Sequence, residues 1–215
     1  MKLISVNVGL PREVTWNGGT TLTGIFKQPV QGAIRVRRLN LDGDKQADLS
    51  VHGGPEKAVY AYPAEHYNYW RGELPNYELT WGNFGENFTT EGLDENVVRI
   101  GDRFRIGTAE FVVTQPRLPC FKLGIRFGMS DMVKRFLASR RTGFYFAVTQ
   151  EGELSGADSI VLVAREPKSL TVADITRLYA FQKGDREMLQ RAVQLEAMPE
   201  NWRSYFRSQL QNIAR

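Results

Sequence analysis

The only cysteine of the 215-residue chain, Cys120, stands in Gln115-Pro116-Arg117-Leu118-Pro119-Cys120-Phe121-Lys122-Leu123, directly after a predicted strand. Two prolines stiffen the approach, and Arg117 and Lys122 set positive charge on both sides, which favours thiolate over thiol. A preorganised thiolate serves as a nucleophile or as a ligand for a soft metal. The competing reading is a buried cysteine acting as a small apolar side chain, although a core strand rarely places Pro, Arg and Lys around one small residue. A single cysteine also excludes an internal disulfide, a four-cysteine zinc site and a self-contained iron–sulfur cluster.

Val51-His52-Gly53-Gly54-Pro55-Glu56-Lys57 is a second candidate. Adjacent glycines let a backbone approach a ligand closely, and their N–H groups, with His52 and Lys57, can cradle an anion. An ordinary flexible turn uses the same residue types, and the Gly-Lys-Ser/Thr ending of a phosphate-binding P-loop is missing. In Phe84-Gly85-Glu86-Asn87-Phe88, Asn87 carries both donors and acceptors suited to the edge of a heterocycle. The segment from Leu41 to Asp48 resembles a calcium loop but lacks the distal Glu at the required spacing, so calcium is not expected. His66 stands beside Tyr67, Tyr69 and Trp70 on a predicted helix and reads as a packed residue.

These segments need a scaffold, and the patterning predicts one that is mainly β. Short runs rich in β-branched and aromatic residues predict strands over 20–26, 34–39, 97–100, 103–106, 109–114, 143–148 and 159–164, with a further strand at the N-terminus. Many short strands with turns between them predict a closed or nearly closed β structure. One helix is predicted to start at Pro63 and run through Trp70. Ser130 is placed to cap another, in which Met132, Val133, Phe136 and Leu137 form an apolar stripe ending at Arg140 and Arg141. Beyond Pro167 the spacing becomes helical: Thr171 to Asp174 reads as a capping box, Gly184-Asp185 restarts a helix, and Pro199 opens one with Trp202, Tyr205, Phe206, Leu210 and Ile213 on one face. The fold class is therefore mixed α/β, mainly β: a barrel-like domain over residues 1–167, then a small three-helix domain over 168–215. So short a unit builds little core alone, and it is expected to dock on the β part.

Composition narrows the function classes. Hydrophobic residues at 42% and charged residues at 24% suit an ordinary globular chain, and no run approaches the roughly 20 apolar residues of a membrane span. The N-terminus alternates and then breaks at Gly9-Leu10-Pro11, unlike a signal peptide, so a cytoplasmic location is expected. The net charge of +4 is mild, but residues 117–141 hold seven basic side chains against Asp131 alone, leaving the rest slightly acidic. The basic stretch and the cysteine coincide.

Taken together, His52-Gly53-Gly54-Pro55-Glu56-Lys57-Ala58-Val59, Tyr62-Pro63 with Glu65-His66-Tyr67, Phe84-Gly85-Glu86-Asn87-Phe88 with Glu91-Gly92-Leu93, Ile100-Gly101-Asp102 and the segment Gln115 to Leu123 resemble the MOSC family. The resemblance is strongest to its YiiM branch, the 6-hydroxylaminopurine resistance proteins, whose three-helix domain the C-terminal residues also resemble. It implies a β-barrel-like domain that binds the molybdenum cofactor, a pterin dithiolene with a phosphate tail, and no pyridoxal phosphate. By that resemblance Cys120 is the metal ligand, and His52, Gly53, Gly54, Lys57, Asn87, Arg117, Lys122 and Arg141 are cofactor contacts. The implied activity is reduction of N-hydroxylated compounds such as 6-hydroxylaminopurine and hydroxylamines to amines, with His52 or Lys122 as proton donor. The chain has no flavin or haem motif and no cysteine cluster, so electrons are expected from an external flavin-containing reductase.

Two other classes fit the same residues. In one, Cys120 is the nucleophile of a metal-free thiol enzyme. In the other, the chain is a binding module, either a carrier of the cofactor or of sulfur, or a nucleic-acid binder using the basic stretch with Phe121, Phe127 and Phe136. The aromatic spacing within 130–137 favours core over a base-stacking platform, so neither nucleic acid nor a membrane is an expected partner.

Overall fold

The computed structural model describes residues 1–47 and 53–213. In chain order it runs β1 (Lys2–Val8), β2 (Arg12–Trp16), β3 (Gly19–Thr23), β4 (Gln28–Val30) and β5 (Ile34–Val36), then a 3-10 turn (Pro55–Lys57), β6 (Val59–Pro63), α1 (Glu65–Glu73) and β7 (Phe88–Glu91). There follow β8 (Arg103–Ile106), β9 (Ala109–Pro116), α2 (Phe121–Phe127), α3 (Met132–Ser139), β10 (Phe144–Gln150), β11 (Gly152–Leu154) and β12 (Ile160–Ala164). Three helices close the chain: α4 (Val172–Ala180), α5 (Arg186–Val193) and α6 (Glu200–Ile213).

Eight strands form one sheet in the order β12-β8-β9-β10-β6-β7-β1-β4, antiparallel throughout except for the parallel pair β6 and β7. The far strand curls back towards the first, since Lys2 bridges Ser159 and Ile160 N–H donates to the Met1 carbonyl. The sheet is thereby barrel-like without being a closed barrel. Among the described residues no helix is long and apolar enough to cross a membrane.

Period-two alternation places the side chains that matter. On β10, Phe144, Phe146 and Val148 are buried in the main core, while Tyr145 faces the other way. Cross-strand register aligns Tyr145 with Tyr60 of β6 on one side and with Gln115 of β9 on the other. A second, aromatic core built on Tyr62, Tyr67, Trp70, Phe84, Phe127 and Phe136 lies beneath α1, α2 and α3. Each such fully buried side chain contributes roughly 1.5–3 kcal/mol.

The C-terminal helices share the main core of the sheet. Val172, Ile175, Leu178, Leu189, Trp202 and Phe206 are buried in the same cluster as Phe104, Phe111 and Phe146. Local signals behave as expected here. Thr171 and Asp174 form a full capping box, and Asp185 accepts the Met188 N–H at 3.0 Å.

Several expectations need correction. Residues 97–100 make no strand, because the Val97 and Val98 N–H groups turn back onto the Asp94 carbonyl and the Arg99 N–H onto Asp102, leaving one isolated bridge from Arg99 to Thr171. Pro63 ends β6 rather than opening α1. Asp131, not Ser130, precedes α3, and no side-chain cap bond is made there. Ile213 lies off the buried face of α6 at 41% exposure. Helix α2, immediately after Cys120, was not anticipated, because its seven residues are too short for helical periodicity to register.

Candidate functional site

Cys120 is the half-buried residue between the end of β9 and α2. The loop carrying it is pinned on both sides: Leu118 packs against the main core and Leu123 is buried in the aromatic one. Arg117 N–H also donates to the Gly143 carbonyl at 3.1 Å. Gly143 has φ +66°, and a Cβ there would lie 2.4 Å from the Ala61 carbonyl oxygen, so glycine lets β10 begin against β6.

Two cavities meet at Cys120. The narrower, about 120 Å³, is lined among others by Lys27, Asp44, Asn87, Arg117, Lys122 and Tyr145. The wider, about 610 Å³, runs out towards the C-terminal helices. Lys57, Leu118, Cys120 and Tyr145 line both.

Arg117 is the electrostatic centre of the narrower cavity. It is 5% exposed, its guanidinium lies 4.9 Å over the Phe136 ring and 5.3 Å from the Tyr60 ring, and its Nη1 is buried with no hydrogen-bond partner among the described residues. Burial opposes the charge, but Tyr60, Tyr145 and Cys120 around it more than offset that and raise its pKa. A buried N–H left without an acceptor is costly unless a ligand supplies one. Burial in turn raises the pKa of Tyr145, with Arg117 opposing and Cys120 reinforcing, so the Tyr145 phenol holds its proton well into the alkaline range.

A buried polar network forms the opposite wall. Lys27 Nζ pairs with Asp44 Oδ1, which also accepts the Gly9 N–H at 2.9 Å, and Asp44 Oδ2 accepts from Asn87 Nδ2 at 2.8 Å. Asn87 Oδ1 takes the Tyr60 N–H at 3.1 Å. The Asn87 amide therefore already braces β6 against the Asp44 loop, which explains its burial better than an edge free for a heterocycle. Asp44 and Asp42 of the calcium-like segment pair with Lys27 and Arg37.

Glu86 of the Gly-Glu-Asn motif is also structural. Its carboxylate accepts from Tyr67, from Gly82 N–H at 2.8 Å, Phe84 N–H at 3.0 Å and Thr89 Oγ1 at 3.0 Å. Burial raises its pKa, and these donors oppose the rise.

The structure thus brings Lys57, Asn87, Arg117, Cys120 and Lys122 together around one cavity. Gly53 lines the wider cavity. Gly54, at φ 99°, begins the 3-10 turn, and its N–H donates to Gln46 Oε1 at 2.9 Å. His52 lies outside the described residues. Arg141 lines a different cavity with His66, Glu95 and Arg177, and its guanidinium rests 4.1 Å over Tyr69. His66 is buried there with Nε2 2.7 Å from Glu95 Oε2.

The basic stretch 117–141 is dispersed over several partners. Arg126 engages Tyr77 and Asn83, Arg135 pairs with Glu73, and Arg140 stacks on Phe181, so only Arg117 and Lys122 of that stretch line the cavities at Cys120. Sequence reasoning missed Lys27, Lys45, Tyr60 and Tyr145. Tyr145 carries a usable signal, being out of phase with the buried Phe144 and Phe146, whereas Tyr60 lies on a strand buried at every position and carries none. The lysines reach the site from a separate segment and carry none.

Comparison with known proteins agrees with this architecture. Residues 48–161 match the model of the MOSC domain, and residues 170–212 match that of a YiiM-like three-α-helix domain. The Bacillus subtilis (strain 168) protein YflK is 40% identical, covering 95% of this chain and 92% of its own. The crystal structure of YiiM from Geobacillus stearothermophilus superposes with TM-score 0.82 and 32% identity, over 97% of this chain and 98% of that one. A Gibberella moniliformis protein named a reductase is 32% identical over 83% of this chain, which spans only 32% of that longer protein.

Proposed function

Because this chain belongs to the MOSC family and carries the YiiM-like three-helix domain, we propose that it is a molybdenum-cofactor-dependent reductase of N-hydroxylated compounds. The observation that carries this reading is the buried Arg117 guanidinium with its orphaned Nη1 beside the one cysteine. That pairing suits an anionic group whose metal is soft: a thiolate for the metal and charge-assisted donors for a phosphate. Arg117, Lys57 and Lys122 would hold the phosphate, and Cys120 Sγ would be the metal's protein ligand. A reductase among the relatives supports the reaction class.

When bound, the cofactor supplies the two electrons of R–NH–OH + 2 H⁺ + 2 e⁻ → R–NH2 + H2O. The chain's own residues would orient the substrate and deliver protons. Tyr145, kept protonated by burial and lining both cavities, and Lys122 of the narrower one are proton-bearing groups there, and His52, next in sequence to Gly53, is a further candidate. Electrons would come from an external flavin-containing reductase. A carrier role for the cofactor or for sulfur would use the same pocket without turnover, and a metal-free thiol enzyme would leave Arg117 Nη1 without an acceptor of its own.

The test is turnover of 6-hydroxylaminopurine to 6-aminopurine with a chemically reduced electron donor, using protein made in a host that synthesises the cofactor. The parent should be active, and Cys120→Ser should lose more than about 100-fold in kcat, beyond the usual effect of disturbing a metal site's supporting residues. An active Ser variant removes Cys120 from the reaction.

A further inference from the structure

Glu95 is buried and lines neither cavity at Cys120, yet its hydrogen bonds lead to them. Its Oε1 accepts the Gly143 N–H at 2.7 Å, and its Oε2 lies 2.7 Å from Nε2 of His66 on α1. Its own backbone is tied to the C-terminal helices, since the Ala173 N–H of α4 donates to the Glu95 carbonyl at 2.9 Å. Beyond Glu95, the Gly143 carbonyl accepts the Arg117 N–H at 3.1 Å, and the neighbouring Thr142 carbonyl accepts the Tyr60 phenol at 2.8 Å. The pairing of β10 with β6 starts at Phe144, so sheet register does not by itself fix Thr142 and Gly143. One carboxylate thus braces the short segment on which rest both the backbone of Arg117 and the Tyr60 ring beside its guanidinium.

We propose that Glu95 is a positioning residue for anion binding at Arg117, acting through the backbone of Thr142 and Gly143 and not through its own charge. A buried N–H follows its acceptor, because leaving it unpaired costs free energy, so the reach of the Glu95 side chain sets where Gly143 lies. Hydrogen bonds weaken steeply outside a narrow range of distance and angle, so a guanidinium whose backbone drifts loses its hold on an anion. The Glu95 charge has the opposite sign of effect, since a nearby carboxylate repels an anion and its removal alone would favour binding. Position and charge are therefore separable by experiment. The inference rests on the proposed reading only in that Arg117 receives an anion, and it needs neither metal nor turnover.

The full-length protein, prepared without cofactor, would be titrated calorimetrically with inorganic pyrophosphate, with circular dichroism confirming that each variant folds. Arg117→Ala should weaken binding by about ten-fold or more. Glu95→Asp keeps the charge but falls short of the Gly143 N–H, and it should weaken binding about ten-fold. Glu95→Gln keeps an oxygen within that reach, its amide can donate to His66 Nε2, and binding should stay within about two-fold of the parent. Tyr60→Phe frees the Thr142 carbonyl without touching Glu95 and should cost roughly three-fold. Added to Arg117→Ala, Glu95→Asp should change binding by less than about two-fold, because its effect passes through Arg117. Binding indifferent to Glu95→Asp or to Tyr60→Phe, an equal loss in Glu95→Gln, or a Glu95→Asp loss that persists without Arg117 overturns the proposal. A parent whose pyrophosphate binding is absent or indifferent to Arg117→Ala overturns the anion reading of Arg117 and this inference with it, so the two failures are told apart.

Discussion

Residue by residue, the site is organised by one buried guanidinium with a nitrogen left unpaired among the described residues. Arg117 is buried between Phe136 and Tyr60 with Nη1 unsatisfied among the described residues. A planar guanidinium can stack on those rings and still present a forked pair of donors, which an ammonium cannot do. Arg117→Lys should therefore keep the charge, lose the stacking, and retain at least about ten-fold less cofactor per chain, read as bound phosphate after isolation. Retention equal to the parent's would show that charge alone suffices. The cysteine, its flanking charges and its prolines were legible from sequence because their chemistry is local. The buried environment of Arg117 was not legible, since it depends on Phe136 and Tyr60 arriving from other elements.

Among the elements, the decisive arrangement is a row across three strands. Tyr60, Tyr145 and Gln115 are cross-strand neighbours on β6, β10 and β9, and Trp202 of α6 continues the row through its bond to Gln115. Gln115 also donates through Nε2 to the Glu56 carbonyl at 3.4 Å, so it joins the Gly-Gly turn, the cysteine loop and the C-terminal helices. Trp202→Phe leaves the buried Gln115 carbonyl without that donor and should cost about 1–3 kcal/mol, measured by urea unfolding. An unchanged midpoint would mean the bond does not tie the helices to the sheet.

Strands β8 and β9 and the caps of α4 and α5 could be read from the sequence, because alternation and capping are short-range signals. Strands β6 and β7 could not. β6 is buried at all five positions and so shows no alternation, and the parallel pairing of the two is a long-range fact. Residues 97–100 show the converse error, where β-branched residues make a turn with a single bridge to Thr171 instead of a strand.

Across the whole molecule, the helices and the sheet share one core, with Phe206 fully buried in the cluster that includes Phe104 and Phe146. Phe206→Ala should lower the stability of the entire chain by about 3–5 kcal/mol in a single cooperative transition seen equally by near- and far-ultraviolet circular dichroism. Two separate transitions would show that the helices unfold on their own. This union puts the wall of the wider cavity on a different part of the chain from the cysteine it faces, while the narrower cavity is built by the β part alone.

The account turns on Cys120 as the ligand of a bound metal. The most direct measurement is molybdenum per chain, by elemental analysis, in parent protein and in Cys120→Ala, both made in a cofactor-synthesising host. The account predicts near-stoichiometric molybdenum in the parent and its loss in the variant. A parent that holds no molybdenum under those conditions, or a variant that holds as much as the parent, would contradict it.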